Sequence, residues 1–160
     1  VLILIALGLV FFVMLFVGIW LGVCFLIGMK WRQVAGRYPA TVPALGRPEG
    51  RGFVALRGFF LPAGPRYKRC LEVVPGAGGL YVAVKWPFNV AQEPMLVPWP
   101  CVRGLAWKEG GWTGRRYLEV DLALEGAVLR LDLPAEAEAE LQRLAGPFLA
   151  ETMSSPPGLG

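Results

Sequence analysis

The chain has 160 residues, with 16 Lys+Arg against 12 Asp+Glu, no His, three Cys and 55% hydrophobic residues, a total that conceals two unlike parts. Residues 1–29 carry no charge: 25 are apolar and the other four are Gly, so the rest of the chain is only about half apolar, an ordinary value for a globular domain. Without His there is no Ser-His-Asp or Cys-His dyad, no imidazole metal ligand and no imidazole base near neutral pH, which excludes common enzyme chemistries.

The uncharged run Val1 to Met29 would measure about 43 Å as a helix at ~1.5 Å per residue, against a hydrocarbon core of roughly 30 Å. It is long enough to span a bilayer with tilt to spare. A cleaved signal peptide needs a basic leading region, a shorter apolar stretch and a small-x-small cleavage site; the run has none of these, and an uncleaved anchor is expected. Leu21-Gly22-Val23-Cys24 is a poor lipoprotein site, because Val23 is bulky and Phe25-Leu26-Ile27 continues the span, so Cys24 reads as a packed or lipid-facing thiol. Lys30-Trp31-Arg32, then Arg37 and Tyr38, follow the run. Basic residues stay on the cytoplasmic side and aromatic ones favour the interface, which predicts a single pass through the inner (plasma) membrane with the N-terminus out and the C-terminal domain in the cytoplasm. The isolated Cys70 and Cys101, with no disulfide framework, agree with that side. Gly18 and Gly22 form a G-x-x-x-G spacing that lets two helices approach closely, and are the candidate helix-packing residues.

Residues 30–51 are expected to form a basic juxtamembrane linker: a short helix ending near Arg37, then extended chain, because Pro39, Pro43, Gly46, Pro48 and Gly50 exclude a long regular element. A small, mainly-β domain is placed at 52–149. Its strand-length runs are Phe53 to Leu61, Tyr67 to Val74 after Pro62-Ala63-Gly64-Pro65, Leu80 to Trp86 after Pro75 to Gly79, and Met95 to Val97 after a loop at Pro87 to Pro94. Pro98-Trp99-Pro100 cannot donate ladder hydrogen bonds at either Pro and belongs at an edge or a corner. Cys101 to Lys108 is the fifth run, followed by a turn at Glu109-Gly110-Gly111. In the sixth, Arg115 to Leu124, Leu118, Val120, Leu122 and Leu124 share one face while Glu119 and Asp121 take the other. After a turn at Glu125-Gly126, the seventh repeats the pattern, with Leu129, Leu131 and Leu133 facing in and Arg130 and Asp132 facing out. An amphipathic helix starts at Pro134, with Glu136, Glu138 and Glu140 near its positive end and Ala137, Leu141 and Leu144 at helical spacing, and is expected to stop at Gly146-Pro147. A disordered tail is expected over 150–160.

Seven short strands and one amphipathic C-terminal helix resemble the pleckstrin-homology-like (PH-like) barrel, a bent seven-stranded antiparallel sheet closed at one end by such a helix. Gly79-Leu80-Tyr81-Val82 followed by Leu96-Val97-Pro98-Trp99 is similar to a pairing found in uncharacterised bacterial single-pass membrane proteins with domains of this type. The resemblance spans roughly residues 53–148 plus the anchor. It implies a binding module and bears on fold more than on activity.

Chemistry-bearing patterns are few. Ser154 and Ser155 lie in the tail, and Gly76-Ala77-Gly78-Gly79 precedes a strand rather than a helix, so it offers a hairpin turn and no phosphate cradle. Cys70 and Cys101 lack paired zinc spacing. Glu119 and Asp121 read as a solvated face that Arg116 and Arg130 can neutralise across strands. The clustering of Trp86, Trp99, Trp107 and Trp112 points to core packing and to a loop at the membrane interface; the acidic C-terminal half and the anchor exclude nucleic acid as a partner.

Charge is distributed unevenly. Residues 30–69 hold nine Lys+Arg and one acid, Glu49, for a balance of +8; residues 70–160 hold seven bases and eleven acids, for −4. Each base near an anionic leaflet contributes about 1 kcal/mol within a Debye length of roughly 8 Å. Lys30, Arg32 and Arg37 follow from the positive-inside bias, whereas Arg66, Lys68 and Arg69 do not. The resemblance implies that those three, at the loop joining strands one and two, sit where PH-like domains place phosphate-binding bases, with Arg57 as the preceding base. The family's basic-x-Arg ending stands here as Arg66-x-Lys68. The candidate anionic-lipid residues are therefore Lys30, Arg32, Arg37, Arg57, Arg66, Lys68 and Arg69. The chain reads as a non-catalytic, membrane-anchored binding module with no cofactor or metal, touching anionic lipid or a protein partner. The alternative is a structural accessory subunit that packs into a larger complex, or into a homodimer, through Gly18 and Gly22.

Overall fold

The computed structural model describes residues 2–40, 48–61, 65–110, 115–125 and 127–154. Helix α1 spans Leu2–Ala35 without a break. Among the described residues it is the one helix long and apolar enough to cross a membrane, over Ile3–Ala35. Every residue from Ile3 to Ile19 is exposed, so no other described part of the chain covers that stretch. The far end differs. Cys24, Gly28, Trp31 and Ala35 recur at i, i+4, i+7 and i+11, one helical face, and all four are buried. The last turn, expected as a separate juxtamembrane helix, is thus the end of the same long helix, and its Trp31, Val34 and Ala35 belong to the domain's hydrophobic core.

Nine strands follow among the described residues, all paired antiparallel: β1 (Phe53–Ala55), β2 (Arg57–Leu61), β3 (Arg66–Tyr67), β4 (Leu71–Gly76), β5 (Gly79–Val84), β6 (Met95–Pro98), β7 (Val102–Gly110), β8 (Arg115–Leu124) and β9 (Ala127–Pro134). They form two sheets, ordered β1-β4-β5-β6 and β3-β2-β9-β8-β7. Period-2 alternation gives each sheet one apolar face. In the first, Phe53, Val73, Val82 and Met95 stand in one cross-strand row, all buried. In the second, the buried Tyr67, Gly58, Leu131 and Val120 stand in one row with the half-buried Leu105. Gly58 leaves a gap in that row which Leu71 of the opposite sheet fills, locking the two inner faces together.

The expected closed, seven-stranded barrel is therefore corrected to two open sheets among the described residues. Two expected strands each break into a pair. Phe53–Leu61 bends at Leu56, whose N–H donates to the Asp132 carbonyl at 2.7 Å, so that β1 joins one sheet and β2 the other. Tyr67–Val74 breaks at residues 68–70, where Arg69 adopts φ 54, a left-handed conformation costly for a side chain with a Cβ. No pairing closes β6 onto β7, because Trp99–Cys101 turns the corner between them as a 3-10 helix flanked by Pro98 and containing Pro100. Trp99, buried, donates its indole N–H to the Gly76 carbonyl at 3.0 Å and pins that corner. The free edge of β6 is covered by the chain leaving α1: the Leu96 N–H donates to Tyr38 O at 2.9 Å, and Pro39 bridges Met95.

Helix α2 (Glu138–Ser154) packs on β4, β7 and the Trp99–Cys101 turn, burying Leu141 and Ala145. Trp107 ties it down by donating to Glu138 Oε1 at 2.8 Å. The expected stop at Gly146-Pro147 does not occur; the helix runs through Pro147, which lies on its exposed side, where water can satisfy the carbonyl that the missing N–H leaves unbonded. The centre of the Pro- and Gly-rich linker (41–47), the turn residues Pro62 to Gly64, Gly111 and Gly126, Trp112 and the tail from Ser155 fall outside the described residues.

Gly79 has φ +152, and a Cβ there would overlap the Val97 carbonyl. Gly79→Ala is expected to destabilise the protein by about 2 kcal/mol or more, read as a lowered thermal midpoint in detergent. Gly104→Ala, where a Cβ meets open space, is expected to leave the midpoint unchanged. Equal midpoints for the two variants would contradict this packing.

Candidate functional site

Where α1 passes the strand β3, the two do not close on each other. A cavity of about 320 Å³ remains, lined by Cys24 and Ile27 of the helix, by Arg66, Tyr67, Lys68 and Cys70, and by Phe88 and Gln92 of the β5–β6 loop. Local structure sets each wall. The i, i+3 spacing of Cys24 and Ile27 puts both beside the domain. The break after β3 turns Lys68 and Arg69 out at a corner, where both are exposed, as is Arg66. Gln92 reaches the helix at Gly28; a Cβ on Gly28 would stand 3.1 Å from Gln92 Cγ, so only a glycine admits this contact without displacement.

The lining is chemically mixed. Tyr67 and Gln92 are 4% and 6% exposed, and both the Tyr67 hydroxyl and Gln92 Oε1 are buried without a hydrogen-bond partner among the described residues. A buried polar atom left unpaired costs roughly 1–3 kcal/mol. Burial, reinforced by Cys70, pushes the Tyr67 hydroxyl well above its ordinary pKa, so it is a neutral donor. Burial likewise raises the Cys70 thiol, which disfavours the nucleophilic thiolate. The cavity offers an apolar wall and two cations without ion-pair partners among the described residues, and the Tyr67 hydroxyl and Gln92 Oε1 lie within its wall beneath the accessible surface.

The other expected lipid-binding bases are dispersed. Lys30 and Arg37 line a separate cleft of about 440 Å³ with Gln33, Val34, Glu125 and Ala127, and Arg37 is held by Glu125 at 3.3 Å. Arg32 folds back over the Phe25 ring, 3.8 Å from its centre. Arg57 stands opposite Asp132 on the outer face of the second sheet, directed to a carboxylate. Arg66 and Lys68 line the cavity together with Cys24 and Ile27 of the helix, and Arg69 follows them in sequence. Gly18 and Gly22 are exposed, and a Cβ on either would meet nothing within 4 Å. Sequence reasoning did not find Tyr67, Phe88 and Gln92 as wall residues, nor Cys24 and Gly28 as a docking face.

On the outer face of the second sheet, Arg130 neutralises the acids of β8, bonding Asp121 through two contacts at 3.1 and 3.2 Å and lying 3.6 Å from Glu119. Arg116 instead covers Trp107, 4.6 Å from the ring centre. Asp132, expected to face solvent, is 6% exposed. Its strand is central, and Arg57 on one neighbour and Glu119 on the other flank it.

Comparison of the chain with protein-family models, with curated proteins and with solved structures returned no match.

Burial pushes the Asp132 carboxyl above its ordinary 3.8, with Arg57 and Arg130 opposing and Glu119 adding to the shift. A carboxyl with a raised folded-state pKa holds its proton more tightly in the folded form, so its contribution to stability falls as pH rises from the unfolded to the folded pKa. Asp132→Asn is therefore expected to raise the unfolding midpoint near neutral pH and to leave it unchanged below pH 3.8, where wild type is also protonated. Melting curves at both pH values check this; a gain equal at both, or a loss near neutrality, would contradict it.

Proposed function

We propose that this chain is a single-pass, membrane-anchored binding module without catalytic activity, whose cytoplasmic domain holds an anionic lipid headgroup between its own membrane helix and the Arg66–Arg69 corner. The observation that carries this reading is the cavity lined jointly by Cys24 and Ile27 of the apolar helix and by Arg66 and Lys68, with two buried polar atoms unsatisfied. A headgroup phosphate meets the two cations, and the Tyr67 hydroxyl and Gln92 Oε1, which lie beneath the cavity wall, gain partners once their side chains turn toward the headgroup. Each base near the leaflet adds about 1 kcal/mol. Lys30, Arg32 and Arg37 directly after the apolar run support N-terminus out and domain in.

The strand order supports a PH-like fold for the domain. Counting β1 with β2, and β3 with β4, as single bent strands leaves seven, in which the first lies between the second and the seventh and α2 packs beside the corner turn. A second reading, an accessory subunit packed through α1, is favoured by the uncovered face at Gly18 and Gly22. Purification in mild detergent with a stoichiometric partner would select it.

The test is hydrogen exchange of the full chain in nanodiscs of zwitterionic or of anionic phospholipid near physiological salt. Backbone amides of residues 66–70 and 88–93 are expected to exchange more slowly in the anionic discs, and the triple charge reversal Arg66→Glu, Lys68→Glu, Arg69→Glu is expected to abolish the difference. Identical exchange in both lipids would overturn the reading.

A further inference from the structure

The β5–β6 loop carries the most exposed large apolar side chain outside α1 among the described residues. Trp86 is 83% exposed and Phe88 47%. An indole held out in water forgoes the favourable transfer of a large apolar surface, and nothing in the fold of the loop requires it to be there. The loop is not loose. The Phe88 N–H donates to the Lys85 carbonyl at 3.0 Å and the Gln92 N–H to the Asn89 carbonyl at 3.1 Å, two tight turns in succession. Its base is fixed to the helix twice, by the Trp31 indole donating to the Glu93 carbonyl at 2.6 Å and by Gln92 seated on Gly28.

Those two anchor points set the level of the loop along α1. The apolar run to Met29 is about 43 Å long, whereas the hydrocarbon core takes roughly 30 Å. The surplus exceeds two turns, and the domain docks against the end of the run at Cys24 and Gly28 and against Trp31, Val34 and Ala35 beyond it. With Lys30 and Arg32 outside the hydrocarbon, Gly28 lies at the boundary, and a loop seated on Gly28 lies at headgroup depth. This is the zone in which Trp concentrates, its ring apolar and its N–H still hydrated. Lys85, exposed beside Trp86, suits the same zone.

We infer that the loop of residues 85–92 is a second membrane contact, with Trp86 and Phe88 embedded in the interface of the bilayer that α1 crosses. The partner is the lipid interface itself, and the contact is apolar, so it does not depend on anionic lipid. It rests on the reading that α1 spans the bilayer and is independent of headgroup recognition at Arg66 and Lys68. The domain is then held at the membrane by the helix and by the loop, and it cannot swing away from the surface.

Tryptophan quenching of the full chain in zwitterionic phosphatidylcholine nanodiscs tests this. Subtracting the emission of Trp86→Phe from wild type isolates Trp86, and subtracting that of Trp20→Phe isolates Trp20 in the span; neither residue belongs to the hydrophobic core. Lipids brominated near the headgroup are expected to quench Trp86 severalfold more strongly than aqueous iodide does, and lipids brominated deeper to quench Trp20. Trp20 quenched by lipid with Trp86 quenched by iodide alone would overturn the loop contact while leaving the span intact. Trp20 untouched by any brominated lipid would overturn the span and the inference with it. Because the discs carry no anionic lipid, failure of headgroup recognition cannot produce either result.

Discussion

The indole of Trp31 joins the two parts of this molecule. It is fully buried, meets the Tyr67 ring edge-on with centroids 5.5 Å apart, and donates its N–H to the Glu93 carbonyl at 2.6 Å. Truncating a buried indole costs about 3–5 kcal/mol, a large share of the stability of a small domain. One side chain of the helix thereby grips β3 through Tyr67 and the β5–β6 loop through Glu93. Cavity, loop and bases take their places from that grip. Tyr67 faces Trp31 and also walls the cavity, and Glu93 follows Gln92, which rests on Gly28. A flexible tether would give none of these groups a fixed position relative to the helix.

The second constraint is the pair of strand breaks. A continuous strand from Arg66 to Val74 would alternate Arg66, Lys68 and Arg69 across two faces. The left-handed turn at Arg69 instead gathers the bases at a corner beside the helix, and the bend at Leu56 lets the first strand serve both sheets, so that Leu71 can fill the space over Gly58. Strain at one residue and a missing side chain at another shape the surface proposed to meet lipid.

Much of this was legible in the sequence and some was not, for identifiable reasons. The apolar span announces itself by its lack of charge, and β8 and β9 by alternation sustained over Leu118 to Leu133. The docking face was hidden because the whole run is apolar: Cys24 and Gly28 are no more hydrophobic than their neighbours, so no periodicity separates the buried stripe from the exposed one. The strand count failed at the breaks, since neither Leu56 nor Arg69 is a turn residue by type, and closure failed at the Trp99–Cys101 corner, where β6 and β7 do not pair. Pro147 misled because the rule against proline inside helices weakens on an exposed face. Asp132 misled because alternation predicts which face a residue takes, not how far its neighbours' side chains cover it. The basic patch was found as a composition, and its division into a cavity pair and several occupied cations required the fold.

The cavity and its bases exist as a site only if the helix and the domain form one body. The most direct measurement is the distance distribution between spin labels at Gln33 on α1 and Lys108 on β7, both exposed, in nanodiscs and with the three native cysteines replaced. A single narrow distribution is predicted, because Trp31 and Ala35 flank the first label within the core. A broad distribution of the kind a flexible linker gives would show that the domain moves free of its helix, and would remove the cavity and the site with it.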